Sequence, residues 1–273
     1  MPELLAIVHF FESYSSVSRK SPLEDIVMPY GSFFLWFLYF SATAFLGWIL
    51  ESAIKSFSEH RLVNSGFLSG PFIPIYGFGA LALAILSSLL SQAPRMLFWG
   101  VMLLVPTIIE YFVSWFMEKL FDIRLWDYYK KPLNLHGRIC MLSSFFWAIL
   151  AIMTIEFIQP FLLMKIKLID GAVLYYVAGA LCMYYIHDTI DSVRALVFYK
   201  TFVANLHRLV QRGSMFIPSI DLGTKKLPPE IKRILKPLKA FPQLARELKS
   251  TLNAIPKSIR TRLEAIIGGK YFH

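Results

Sequence analysis

The chain is poor in charge and almost without cysteine. Charged residues make up 17% of its 273 positions, where soluble domains run at about 25%. Its two cysteines, Cys140 and Cys182, exclude a disulfide framework and offer no CxxC or zinc-ligand spacing. No Gly-x4-Gly-Lys-Ser/Thr phosphate loop occurs, so any ATPase working with this chain is a separate subunit. No nucleophile or metal set has usable spacing. His187 and Asp191 stand at i and i+4, but two ligands do not make a site. The chain is therefore not expected to be an enzyme, and no cofactor or metal is expected. Met1–Lys20 carries Glu3 and Glu12 and no early Lys or Arg, so a cleavable signal peptide is not expected. The first spanning helix would direct insertion.

What the chain has is apolar length. It is 56% hydrophobic and 16% aromatic, with a mean hydropathy of +0.54. A spanning helix needs about 20 mostly apolar residues. Five runs meet this: 33–54, 71–91, 96–120, 139–163 and 171–193. The second lies in a charge-free stretch from Leu62 to Pro94. Leu4–Phe11 is too short to span and reads as an interfacial or short soluble helix. The predicted fold is all-α, a polytopic membrane bundle of about five transmembrane helices followed by a basic amphipathic tail. Residues 1–32 would form an extracytoplasmic segment, 33–200 the transmembrane domain and 201–273 a cytoplasmic tail.

The net charge of +10 lies wholly in that tail. Residues 1–200 hold 14 Lys/Arg and 14 Asp/Glu, whereas residues 201–273 hold 14 and 4. After Pro218 the tail repeats apolar stripes between basic residues, as in Ile231, Ile234, Leu235 and Leu238 among Lys232, Arg233, Lys236 and Lys239. Such helices favour anionic inner-leaflet lipid, at roughly 1 kcal/mol per basic residue. Nucleic acid is not the expected partner, because no recognition motif accompanies the charge. Counting Lys and Arg by side puts five with the N-terminus and the second and fourth loops. The first and third loops hold seven, and sixteen more follow from Arg194. The positive-inside rule then predicts a multi-pass protein of the cell membrane with its C-terminus in the cytoplasm.

Six carboxylates fall in or against the apolar runs: Glu51, Glu110, Glu118, Glu156, Asp188 and Asp191. A charge at the centre of a membrane helix costs roughly 2.5–3.5 kcal/mol on insertion scales. The predicted orientation puts Glu51, Glu118, Asp188 and Asp191 at one inner level with Arg138, Glu110 near mid-depth and Glu156 in the outer half. Glu51 shares a helix face with Gly47 and Lys55, and either pairs with Lys55 or turns into the bundle. Glu110, Ser114 and Glu118 recur every four residues. Glu110 is either a structural ion pair or protonated donor, or a proton, cation or substrate site. Arg138 either bridges Glu110 and Glu118 with its forked guanidinium or snorkels to lipid phosphate.

Two loops complete the pattern. The segment 66–80 sets Gly66, Gly70, Pro71, Pro74, Tyr76, Gly77 and Gly79 in an uncharged run. It is either a broken, partly re-entrant start to the second span or a loop followed by proline at a helix start. Gly77, Gly79 and Ala80 would permit close helix packing. The third loop carries Trp126, Asp127, Tyr128, Asn134 and Gly137 with Lys130 and Lys131, as an inner aromatic interface does.

These residues together resemble the CmpB-like ABC-transporter type IV membrane proteins, a family that includes the transmembrane protein 229 group. The resemblance rests on Gly47-Trp48-x-x-Glu51, on Gly-Phe-Leu-x-Gly-Pro and Pro-Ile-Tyr-Gly-x-Gly-Ala within 66–80, and on Glu110-Tyr111. It continues through Glu118–Phe121, Trp126-Asp127-Tyr128 and Asn134-x-x-Gly137-Arg138-Ile139-Cys140. It implies a membrane subunit of a permease, partnered by a separate ATPase, and brings no catalytic residues. Five spans are few for a permease acting alone, so a homo-oligomer is expected with it. The alternative is a non-transporting scaffold whose basic tail binds anionic lipid or a soluble partner.

Overall fold

A computed structural model describes residues 32–60, 62–121 and 123–211, with side-chain surroundings through residue 201. The amphipathic tail after Pro218 and the segment Leu4–Phe11 lie outside the described residues. Five helices follow in order: α1 (Ser32–Glu59), α2 (Pro74–Leu89), α3 (Arg95–Phe121), α4 (141–167) and α5 (Gly171–Gln211). Among the described residues there is no strand, only an isolated bridge between Leu135 and Ile139.

Local chemistry sets the boundaries. His60 closes α1 in the left-handed region, at φ 49°. Residues 62–73 are non-helical, and α2 begins with Pro74 at its first turn, where a missing N–H costs nothing. The Gly/Pro segment is thus a loop followed by proline at a helix start. Cys140 and Ser143 cap α4 reciprocally, each side chain accepting the other's backbone N–H. Within α4, residues Thr154–Ile158 widen into a π turn, with the Gln159 N–H reaching the Thr154 carbonyl. Pro160 is the cause we assign, because it has no N–H and its ring would strike a carbonyl one turn back. Asp170 starts α5 by accepting the Ala172 N–H at 2.9 Å.

Helices stand over all five runs read as spans. Phe33–Glu59, Arg95–Phe121 and Met141–Lys167, 27 residues each, are long and apolar enough to cross a membrane. α2, at 16 residues, is shorter. The fifth run opens the 41-residue α5, where Tyr175, Tyr176, Tyr184 and Tyr185 dilute the apolar residues before His187 and Asp188.

The chain forms two compact units. One comprises 32–47 with 72–182, the other 48–71 with 183–211. In the first, Leu38 and Tyr39 of α1 pack with Ala80 and Ala84, Leu163 and Ile166, and Leu174 and Ala178. A second cluster joins Leu83, Met102, Ala151 and Ile155. The outer faces keep Leu104, Ile108, Phe112, Phe145 and Phe161 exposed, a surface suited to lipid rather than water.

Close approach of α1 and α2 depends on two glycines. A Cβ on Gly47 would enter the Tyr76 ring. One on Gly77 would lie 2.5 Å from the Phe40 ring and 2.8 Å from the Phe40 carbonyl oxygen. The Ile73 N–H then reaches the Ala44 carbonyl at 3.1 Å. Gly79, grouped with Gly77 by sequence, has open space where its Cβ would stand, because it turns away from the contact. Gly77→Ala should therefore cost about 1–3 kcal/mol, because the obstacle includes backbone. Gly79→Ala should stay within about 0.5 kcal/mol. Thermal unfolding in detergent measures both, and equal effects would refute the packing account.

Candidate functional site

Two polar arrangements, one in each unit, collect the acids expected from sequence. In the first unit α3 presents Met102, Pro106, Glu110 and Ser114 as one buried face, each one turn from the next. Glu110 is 2% exposed. Its Oε1 accepts the Tyr128 hydroxyl at 3.3 Å, its Oε2 accepts the Ser143 hydroxyl at 3.2 Å, and the Trp147 indole also donates to it. Tyr128 comes from the α3–α4 loop. Ser143 and Trp147 come from successive turns of α4. Among the described residues no cationic side chain pairs with Glu110.

Glu118, two turns on, is held quite differently. Arg124 donates to its Oε1 at 2.8 Å, and Arg138 to its Oε2 at 2.7 Å. Arg138 also donates to the Tyr111 hydroxyl at 3.2 Å and lies over that ring, and Tyr111 meets His136 Nδ1 at 3.1 Å. Arg124 lies over the Tyr129 ring. Hydrogen bonds to Tyr129 and Glu118 hold the Arg124 guanidinium above its ordinary pKa. Burial pulls Arg138 down, but hydrogen bonds to Glu118 and Tyr111 outweigh it, and the net direction is again upward. Arg138 therefore does not bridge Glu110 and Glu118 as the fork reading supposed. Eight residues of helix separate those acids by about 12 Å of rise, beyond one guanidinium.

The loop that supplies these groups is closed by its own side chains. The Trp126 indole donates to the Arg138 carbonyl at 2.6 Å, and the Tyr128 N–H to the Gly137 carbonyl at 2.8 Å. Asp127 accepts the Tyr129 N–H. Asn134 accepts the Gly137 N–H and donates to the Tyr129 and Lys131 carbonyls. Gly137 is left-handed at φ 70°, and a Cβ there would meet the Tyr129 ring at 2.5 Å. Sequence placed Trp126, Asp127, Tyr128, Asn134 and Gly137 together. Of these only Tyr128 touches Glu110, while the others shape the loop. Tyr76 packs on Trp147, with ring centroids 5.1 Å apart, and so supports a donor to Glu110.

In the second unit the loop 62–71 folds along the end of α1. Lys55 pairs with Glu51 at 2.8 Å, and the Ser65 hydroxyl donates to Glu51 at 2.6 Å while accepting from Lys55 at 2.7 Å. Trp48 donates to Asn64 at 2.5 Å. Gly66 takes φ 104°, and Gly70 and Pro71 close the segment. Buried Asp188 accepts the Ser69 N–H at 3.1 Å and the Gly70 N–H at 2.9 Å. A Cβ on Gly70 would collide with the Tyr184 hydroxyl. Asp191, half-buried, lies three residues further along α5. Pro74 opens α2 and belongs to the first unit.

Sequence reading missed Ser143 and Trp147 as partners of Glu110, and Ser65 as partner of Glu51. The i, i+4 spacing of Ser143 and Trp147 was visible. Nothing in it pointed toward Glu110.

These helices and their apolar exterior define a multi-pass membrane protein in contact with lipid. Residues 38–193, more than half of the chain, match the family described as "Putative ABC-transporter type IV", and the chain belongs to that family. No curated protein and no solved structure matches it.

Asp188→Ala would leave two loop N–H groups without their acceptor. Hydrogen bonds to a charged group contribute about 1.5–3 kcal/mol, so the Ser69 and Gly70 amides should exchange at least about tenfold faster, while amides of α3 stay unchanged. For Glu118, a double-mutant cycle with Glu118→Gln and Arg124→Gln should return a coupling of about 0.5–1 kcal/mol, since the pair is a quarter exposed. A coupling of zero would show that the geometry contributes nothing.

Proposed function

We infer that this chain is the membrane-embedded, permease-like subunit of a transport system, or an accessory to one, with Glu110 as its polar intramembrane site. The observation that carries this reading is the setting of Glu110. It is a nearly inaccessible carboxylate on a candidate span, met by neutral donors from a loop and a second helix. Membrane proteins keep such acids where a proton, an ion or a substrate group supplies the counter-charge. The family and the missing phosphate loop favour a separate ATPase partner. The small bundle favours a homo-oligomer. The excess of Lys and Arg on the third loop and tail supports a cell-membrane location with the C-terminus in the cytoplasm. It also supports division into an outer segment 1–32, a membrane domain 33–200 and a tail 201–273 that holds anionic lipid.

The +10 carried by residues 201–273 favours a second reading, a scaffold whose tail recruits lipid or a soluble partner without transport. Co-purification in mild detergent separates the two. The permease reading expects an ATPase in the complex, and expects Glu110→Gln to lower solute uptake about tenfold or more, the effect of at least ~1.4 kcal/mol on the limiting step. Normal uptake by Glu110→Gln in a folded, membrane-inserted protein, with no ATPase recovered, would defeat it. The scaffold reading expects instead that truncation after Pro218 abolishes localisation or complex formation.

A further inference from the structure

We propose that the buried face of α3 around Glu110 and Ser114 is a binding site for a small monovalent cation of the sodium type, held by oxygen ligands. The proposal deepens the reading of Glu110 given above and rests on it. Its second observation is Ser114. This residue lies one turn beyond Glu110 on the same face, is 0% exposed, and its hydroxyl has no hydrogen-bond partner. A hydroxyl cut off from both water and protein loses its solvation with nothing in return. A serine in a helix ordinarily recovers by bonding the carbonyl one turn back, as Ser41 does to Phe37 at 2.8 Å. Ser114 does not.

The hydroxyls that donate to Glu110 do so at long range. Tyr128 and Ser143 approach Glu110 at 3.3 and 3.2 Å, whereas a hydroxyl donating to a carboxylate closes to about 2.5–2.7 Å. Ser143 has one proton and two acceptors for it, Glu110 and the Cys140 carbonyl at 3.0 Å. Pro106, one turn before Glu110 on the same face, deprives the Met102 carbonyl of its helical donor. The two arginines of the α3–α4 loop, Arg124 and Arg138, are both committed to Glu118, and Arg138 also to Tyr111. The face thus combines one negative charge, the unpartnered Ser114 hydroxyl and a Met102 carbonyl without its helical donor, and it has no cation of its own.

That inventory selects its guest. Oxygen-only ligands suit hard cations, whereas softer metals prefer imidazole or thiolate. Among the described residues no three His, Cys, Asp or Glu side chains gather to hold a metal. One carboxylate balances one positive charge, so a monovalent ion leaves the site neutral, which a low-dielectric interior requires. A proton would neutralise Glu110 but leave Ser114 unmet.

The test is equilibrium binding of radioactive sodium to the full-length protein in detergent, with melting temperatures in sodium and in choline chloride at equal ionic strength. The expected result is saturable binding of about one ion per chain and a melting temperature raised by sodium as a ligand that binds the folded state raises it. Ser114→Ala should weaken binding tenfold or more while melting in choline as the parent does or higher, since it removes only an unpartnered hydroxyl. Ser114→Thr should restore binding, and Glu110→Gln should abolish it. Absence of saturable binding by the parent, or parental affinity in a folded Ser114→Ala, overturns the proposal. So does a melting temperature that follows pH and ignores sodium. Binding is read without flux, so the two readings fail separately. Lost uptake in Glu110→Gln without sodium binding defeats the cation site alone. Sodium binding by the parent, with normal uptake by folded Glu110→Gln and no ATPase recovered, defeats the permease reading alone.

Discussion

Hydrocarbon accepts no hydrogen bonds, so every polar group carried into it by α3 must be met from elsewhere in the chain. Much of the first unit follows from that constraint. Glu118 is met by two arginines, one just past the end of α3 and one just before α4. Glu110, two turns deeper along the same helix, draws its partners from the loop and from α4. The loop between α3 and α4 is therefore not slack. Its indole, amide and carboxylate side chains close its own backbone bonds, which leaves Tyr128 and Arg138 positioned for α3. On α3 the accounting stays open at Ser114, as it does at the Tyr39 hydroxyl of α1 and the Gln159 Oε1 of α4.

Packing supports the same arrangement at one remove. Gly77 lets α2 approach α1 until backbone nears ring, and Gly47 makes room for Tyr76. Tyr76 then packs on Trp147, which donates to Glu110. Two missing side chains on α1 and α2 thus bear on a carboxylate of α3 through an aromatic pair. In the second unit the same economy holds with other residues. Ser65 satisfies Glu51 and Lys55 together, and Asp188 takes both N–H groups that the turn at Ser69 and Gly70 leaves without a helix or strand.

The membrane character, the positions of the five helices and the family were legible in the sequence, because each depends on local quantities. Apolar length is additive along a segment, and a proline or glycine punctuates the backbone wherever it stands. The i, i+4 relation of Glu51 and Lys55 could be read from spacing alone. So could the gathering of Trp126, Asp127, Tyr128, Asn134 and Gly137 into one loop. Pro74, by contrast, left both a broken span and a helix start open until the fold chose the second.

Only the tertiary structure decided which group meets which. Depth along a helix made Arg138 an equal candidate for Glu110 and Glu118. The folded loop delivers it to Glu118, because one guanidinium cannot bridge two turns of helix. Gly77 and Gly79 look alike in a list of small residues, yet only one faces a neighbour, since two positions on a helix turn by roughly 200°. Ser143 and Trp147 are an unremarked pair until α4 lies against Glu110. Sequence determines what each segment prefers by itself. Pairing across segments is a property of three-dimensional register, to which spacing along the chain carries no direct guide.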